Sequence, residues 1–121
     1  MAFLPHLKSV VEQVDGAVAC SVMGFDGIPV ETHQAGELDD IELNNTWIEY
    51  GNVLTQLKTA AEILKTGGVQ EVSVNAEKVV TLMRLVTDEY FLVLAMKPTA
   101  NYGKGRYALR LAAPKVKAEL L

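Results

Sequence analysis

The sequence lacks the features of a secreted, membrane-spanning or disulfide-stabilised protein. Its 121 residues include one cysteine, Cys20, so no internal disulfide forms, which favours a reducing compartment. The longest apolar run, Tyr90 to Met96, is about a third of the roughly twenty residues that a transmembrane helix requires. The N-terminus shows no basic segment followed by an apolar one, so no secretory signal is expected. We therefore expect a cytoplasmic protein with no membrane insertion.

Residue groups that would bind a metal or a cofactor, or perform catalysis, are also missing. His6 and His33 are isolated, without further ligands at metal-binding spacing. Cys20 lies in an apolar run, where a buried thiol is inert. Gly103-Lys104-Gly105 lacks the first glycine and the following Ser or Thr of a P-loop. We expect no enzyme activity, no metal and no cofactor.

Charge is divided unevenly along the chain, whose formal net charge is -4. Residues 1–49 contain nine acidic and one basic residue, whereas residues 50–121 contain six acidic and ten basic residues. The absence of a dense basic stripe argues against nucleic acid as a partner. An asymmetry of this kind can steer a protein partner or orient two subunits.

Hydrophobic periodicity predicts one domain over residues 1–121, with the element order α-β-β-α-β-β-β-α. Apolar residues at helical spacing predict helices over Phe3–Val14, about Ile41–Lys65 and about Gly103–Leu120. Strand-like runs occupy Ala17–Met23, Ile28–His33, Val69–Asn75, Val79–Val86 and Tyr90–Met96.

Local signals predict where several of these elements turn or end. Asp26-Gly27 is expected to supply the positive φ angles of a hairpin turn, and Gly67-Gly68 to end the long helix. Asn101 or Thr99 is expected to cap the last helix, and Pro114 to kink or break it.

The last predicted strand determines the architecture, because it is apolar at every position from Tyr90 to Met96. Both of its faces therefore need cover, which places it in the middle of the sheet. We expect an α/β (α+β) fold with a five-stranded antiparallel sheet. One long helix should cover one face, and the two terminal helices should cover the other.

The long helix carries more apolar surface than its own sheet can cover, which predicts a homodimer. One stripe has the four-three spacing of a coiled coil, and a second widens it: Leu43, Trp47, Tyr50, Leu54, Leu57, Ala61 and Leu64, then Ile48, Val53, Ala60 and Ile63. A two-fold axis makes such a surface complementary to itself. The expected interface consists of these residues: Trp47, Tyr50, Leu54, Leu57, Ala61 and, from strand Val69–Asn75, Val72. Alternatively, the whole surface is intramolecular core, with a loop over the second stripe.

Two motifs and the order of the elements resemble the roadblock family over nearly the whole chain. The first is the hairpin Gly24-Phe-Asp-Gly-Ile-Pro-Val30. The second runs from Phe91 to Arg110, where Asn101, Gly103 and Arg106 match an Asn-aliphatic-Gly-x-x-Arg helix start. Tyr102 stands where a leucine is common.

This resemblance implies a homodimer, or a pair of related chains, whose long helices lie antiparallel on one face of a joined sheet. The chain looks most like the prokaryotic MglB-like branch, which implies a Ras-like small GTPase as partner. The implied docking face is the paired helices, with candidate contacts at these positions: Glu42, Asn45, Glu49, Asn52 and Lys58. Two other functions stay open, a structural scaffold subunit of a motor or signalling complex without effect on nucleotide turnover, and a small-molecule sensor.

Overall fold

The computed structural model describes residues 2–120, which form three helices and a five-stranded sheet. The helices are α1 (Leu4–Gln13), α2 (Leu43–Leu64) and α3 (Tyr102–Leu120). The strands are β1 (Ala17–Gly24), β2 (Pro29–Gln34), β3 (Glu71–Asn75), β4 (Val80–Leu85) and β5 (Tyr90–Met96). The predicted order and the α+β class are confirmed. None of the helices within residues 2–120 has both the length and the apolar character needed to cross a bilayer.

The sheet has the strand order β2-β1-β5-β4-β3, and every neighbouring pair is antiparallel. The fully apolar strand β5 lies in the centre, as its composition predicted. Leu94 of β5 is aligned with Cys20 of β1 and Leu82 of β4, and all three point to the same face. Strands β2 and β3 form the two edges.

The helices cover both faces of this sheet, and each face has its own buried cluster. Helices α1 and α3 pack on one face, here called the α1/α3 face, around residues such as Leu7, Leu94 and Leu109. Helix α2 covers the other, here called the α2 face, around residues such as Trp47 and Phe91. The predicted layering, with one long helix opposite two terminal helices, is confirmed.

The first hairpin differs from its prediction in one backbone angle. Gly27 has a φ of +88°, whereas Asp26 does not take a positive φ. The Asp26 Oδ1 atom instead accepts a hydrogen bond from the amide N–H of Ile28 at 3.0 Å. The turn therefore depends on one glycine and one side-chain bond, so the prediction that both residues supply positive φ angles was wrong.

Helix α3 continues through Pro114, so the predicted break does not occur. Pro114 and Arg110, whose carbonyl loses its helical partner at this proline, are both on the exposed side, where water can bind the carbonyl. Buried Ala113 and Val116 hold the helix against the sheet on either side of the proline. The predicted cap is confirmed for Asn101, whose Oδ1 accepts from the N–H of Lys104 at 3.0 Å.

Candidate interaction surfaces

Glu42 fixes the start of helix α2. Its carboxylate accepts hydrogen bonds from the backbone N–H groups of Asn44 at 3.3 Å and Asn45 at 2.8 Å, which otherwise lack helical partners. The helix consequently begins at Leu43 rather than at the predicted Ile41. Glu42, a candidate partner contact, thus has a local capping role.

The inner side of α2 contacts the domain's own core. Trp47, Leu54 and Ala61, three of the six residues predicted in a dimer interface, are buried there. Gly51 lies on the same side, where a Cβ atom would come within 3.3 Å of the Phe91 ring. Part of the four-three seam in the sequence therefore faces the domain's own sheet.

Five large apolar residues of α2 are exposed to solvent, and we call them together the outer stripe: Ile48, Val53, Leu57, Ile63 and Leu64. The last two are the most exposed, at 74% and 70%. Tyr50 and Val72 are half-buried and pack against the α2-face cluster. Of the predicted interface residues, Tyr50, Leu57 and Val72 are thus the ones that reach the surface.

The polar candidate contacts on α2 differ in whether their side chains already bond to other parts of the domain. Asn45, Glu49 and Asn52 are exposed, and their spacing of four and three places them on one side of the helix. The Lys58 ammonium donates to the carbonyl of Asp88 at 3.0 Å and lies 3.8 Å from the centre of the Phe25 ring. Lys58 therefore ties α2 to the hairpin and the β4–β5 turn, while the other three point to solvent.

Two buried polar atoms lack partners within residues 2–120, and both lie on the α2 face. They are the indole Nε1 of Trp47 and the hydroxyl Oγ1 of Thr81. Trp47 belongs to the α2-face cluster. Thr81 shares this face because strand alternation places it with Val79 and Met83.

Residues 2–120 contain one buried thiol and open grooves, but no cluster of metal-binding side chains. Burial raises the pKa of the Cys20 thiol to about 12, so this thiol is protonated at neutral pH. No group of three or more His, Cys, Asp or Glu side chains comes together there to hold a metal ion. A groove of about 690 Å³ opens to solvent beside the end of α2, where Lys58, Lys65 and Val69 are among its lining residues.

Comparison with solved structures identifies the family. MglC from Myxococcus xanthus is 64% identical over 98% of this chain and 99% of that chain, with a TM-score of 0.71. A Roadblock/LC7 domain from Streptomyces avermitilis has a TM-score of 0.81 at 15% identity, over 95% of this chain and 94% of that chain. The chain belongs to the roadblock family. Within it, this roadblock domain is of the MglB-like kind, as the resemblance predicted.

A third structure extends this likeness at the level of the fold. The gliding protein MglB from Thermus thermophilus superposes with a TM-score of 0.84 at 16% identity, over 96% of this chain and 86% of that chain. MglC has four times the identity of this MglB but a lower TM-score. No protein-family model and no curated protein matches the sequence of this roadblock domain.

Proposed function

We propose that this roadblock domain is a cytoplasmic, homodimeric adaptor that binds proteins and regulates a Ras-like small GTPase. The outer stripe of α2 is the observation that carries the proposal. The domain's similarity to MglC and MglB, the latter described as a gliding protein, supports a regulatory role of this kind.

The dimer is argued from the length and composition of α2. Its 22 residues extend over roughly 33 Å at 1.5 Å per residue. Single apolar side chains are normal on a surface, but α2 exposes five large ones, and Val53, Leu57 and Leu64 lie on one side of it at spacings of four and seven residues, which indicates an interaction site. We infer that Leu57, Tyr50 and Val72 contact the second copy. Trp47, Leu54 and Ala61 then support the interface from beneath by holding α2 against its sheet.

The GTPase is expected to bind the exposed polar side of the paired helices. Asn45, Glu49 and Asn52 are the best candidates, because Glu42 and Lys58 already serve the domain's own structure. No arginine in this chain is assigned to the GTPase active site. Any acceleration of hydrolysis would then come from ordering the switch loops of the GTPase itself.

The dimer is tested by light scattering over a wide concentration range. The wild type should show a mass near twice 13.2 kDa. The double variant Leu57→Glu, Ile63→Glu should weaken self-association on the order of 100-fold, because two charges would be buried without partners. Leu111→Glu is the matched control, since Leu111 of α3 is as exposed as Leu57 but lies on the α1/α3 side. A wild-type monomer at all concentrations contradicts the dimer.

The GTPase role needs a separate experiment. A Ras-like GTPase that copurifies with the full chain is purified, and its GTP hydrolysis is followed with and without the wild type and Glu49→Lys. We expect a change in turnover that Glu49→Lys reduces by about tenfold. Binding without any change in turnover would instead support the scaffold function. Failure to recover any such GTPase contradicts both the regulatory role and the choice of partner.

A further inference from the structure

Two arginines bind one carboxylate where β3 lies beside the first turns of α3, and a third arginine lines the same cleft. Glu71 Oε2 accepts a hydrogen bond from Arg106 Nε at 2.6 Å, and Glu71 Oε1 accepts one from Arg84 Nη1 at 3.1 Å. Arg110 lies one helical turn beyond Arg106, on the same side of α3. The bond from Arg106 and the charge of Arg84 hold the pKa of Glu71 below its usual range, so Glu71 stays ionised at neutral pH.

This group has many more hydrogen-bond donors than acceptors. Each guanidinium carries five N–H donors, whereas Glu71 engages one N–H of each of two arginines. Among residues 2–120, no carboxylate lies within ion-pair distance of Arg110. Arg84 is largely shielded from water, with its side chain 21% exposed, which strengthens its attraction for a further anion.

The arginines line an open cleft of about 460 Å³. Its other walls are Gln70, Glu71, Gly103 and Tyr107. Gly103 belongs to the first turn of α3, where backbone N–H groups favour negative charge. Tyr107 and, one turn further, Leu111 add exposed apolar surface beside the arginines.

We propose that this cleft, named here the arginine cleft, binds an acidic segment of a partner protein that carries two or more carboxylate side chains. Separate carboxylates can pair with Arg110 and with the unused N–H groups of Arg84 and Arg106 on either side of Glu71. An apolar residue between them can pack on Tyr107. Bidentate pairing of this kind is what arginine provides and lysine does not.

A polyphosphate ligand fits the cleft less well than spaced carboxylates do. The Glu71 carboxylate binds both Arg84 and Arg106, where it would repel a compact, multiply charged phosphate. The whole chain also has a net charge of -4, which opposes the long-range attraction of nucleic acid.

The arginine cleft and the proposed α2 contact lie on opposite faces of the sheet. Strand alternation places Glu71 and Arg84 on the α1/α3 face, together with buried Leu82. The outer stripe lies on α2, which covers the opposite face. Val72, which we infer contacts the second copy, follows Glu71 in β3 but points to the α2 face. A failure of peptide binding would therefore not contradict the dimer, which is tested by its solution mass.

Fluorescence anisotropy of a labelled peptide of eight alternating Glu and Leu residues, titrated with the full chain, tests the proposal. We expect saturable binding that weakens between about 50 mM and about 300 mM salt. A peptide with Gln in place of Glu should bind at least about tenfold more weakly. Backbone amide shifts in NMR spectra should cluster at Gln70, Gly103 and Tyr107.

Two charge-reversal variants distinguish peptide binding at the arginine cleft from a general effect of net charge. Arg110→Glu should lower the affinity by about tenfold or more. Lys115→Glu makes the same change in net charge on an exposed position of α3 outside the cleft, and it should change the affinity less than about twofold. Because both side chains are exposed, both variants should fold, as circular dichroism will check.

Three results would overturn the proposal. Equal losses in Arg110→Glu and Lys115→Glu would reduce the effect to net charge. Equal binding of the Gln peptide would remove the role of the carboxylates. Displacement of the peptide by inorganic phosphate at a lower concentration than by free glutamate would assign the cleft to a phosphoryl group instead.

Discussion

The two faces of the sheet are covered by helices in different ways. On the α1/α3 face, small residues of α3 allow close packing: Gly105, Ala108, Ala112 and Ala113 are all buried. A Cβ atom at Gly105 would approach the Met96 sulfur to 2.7 Å. On the α2 face, large side chains such as Trp47, Met83 and Phe91 fill the space between helix and sheet.

The difference indicates which face is complete within the single chain. The two buried polar atoms without partners among residues 2–120 and the outer stripe all belong to the α2 side. Buried polar groups normally have hydrogen-bond partners, so these two atoms indicate that hydrogen bonding is less complete on the α2 face. No buried polar atom without a partner lies on the α1/α3 face within residues 2–120, whereas the α2 side is where we propose that a second copy binds. The arginine cleft at the edge adds a charged surface of a different kind.

The largest effect is expected from removing a buried leucine on each face. Leu109→Ala should lower the free energy of unfolding by about 4 kcal/mol, because its small, close-packed neighbours leave the cavity open. Leu54→Ala should cost about 3 kcal/mol, since two flexible side chains, Met23 and Met83, can fill part of the space, against one, Met96, in the cluster of Leu109. Urea unfolding at one fixed protein concentration measures both. A larger loss for Leu54→Ala would contradict this comparison.

Substitutions of two hydroxyl groups on the α2 face should change the free energy of unfolding by smaller amounts and in opposite directions. Thr81→Val should raise the free energy of unfolding by about 1 kcal/mol, because it removes a buried hydroxyl that has no partner within residues 2–120. Ser21→Ala should lower it by about 1 kcal/mol, since the Ser21 hydroxyl donates to Glu31 O at 2.9 Å and bonds with Thr32 Oγ1 at 2.8 Å. Thermal unfolding of both variants compares them. Equal losses would mean that the Thr81 hydroxyl is satisfied after all.

The smallest effect near neutral pH concerns Cys20 on the α1/α3 face. Its pKa is about 12 in the folded chain against 9.0 for an unperturbed thiol. The folded state therefore retains the proton longer, so this contribution to stability is complete below pH 9.0 and is lost as pH rises through about 12. The stability difference between wild type and Cys20→Ala should shrink between about pH 8 and about pH 11. If the difference measured by urea unfolding stayed constant over that range, burial would not be what controls the pKa of this thiol.

Local patterns were sufficient for the elements and for their order. The apolar run Tyr90–Met96 placed β5 in the centre of the sheet, because a strand without a polar face needs cover on both sides. Asn101 was recognisable as a cap because its amide oxygen can reach the N–H three residues on. The family followed from two motifs in the right order, and the high identity with MglC confirms it.

Other features depend on how distant parts of the chain meet. The periodicity of α2 gave two apolar stripes, but spacing alone does not say which of them faces the sheet. The structure turns Trp47 and Leu54 inward but leaves Leu64 of the same stripe exposed, together with Ile63 of the second stripe. Pro114 likewise stays within α3 because tertiary packing on both sides of it outweighs a missing hydrogen bond.

The sequence by itself determined the element order, the central strand and the family, because each follows from residues close together in the chain. Only the tertiary structure decided which residues come together in the candidate interaction surfaces. Glu71 and Arg106 are 35 positions apart, and no local pattern relates a strand residue to one on a later helix. Their contact arises because β3 forms the sheet edge beside α3, which depends on the packing of the whole domain.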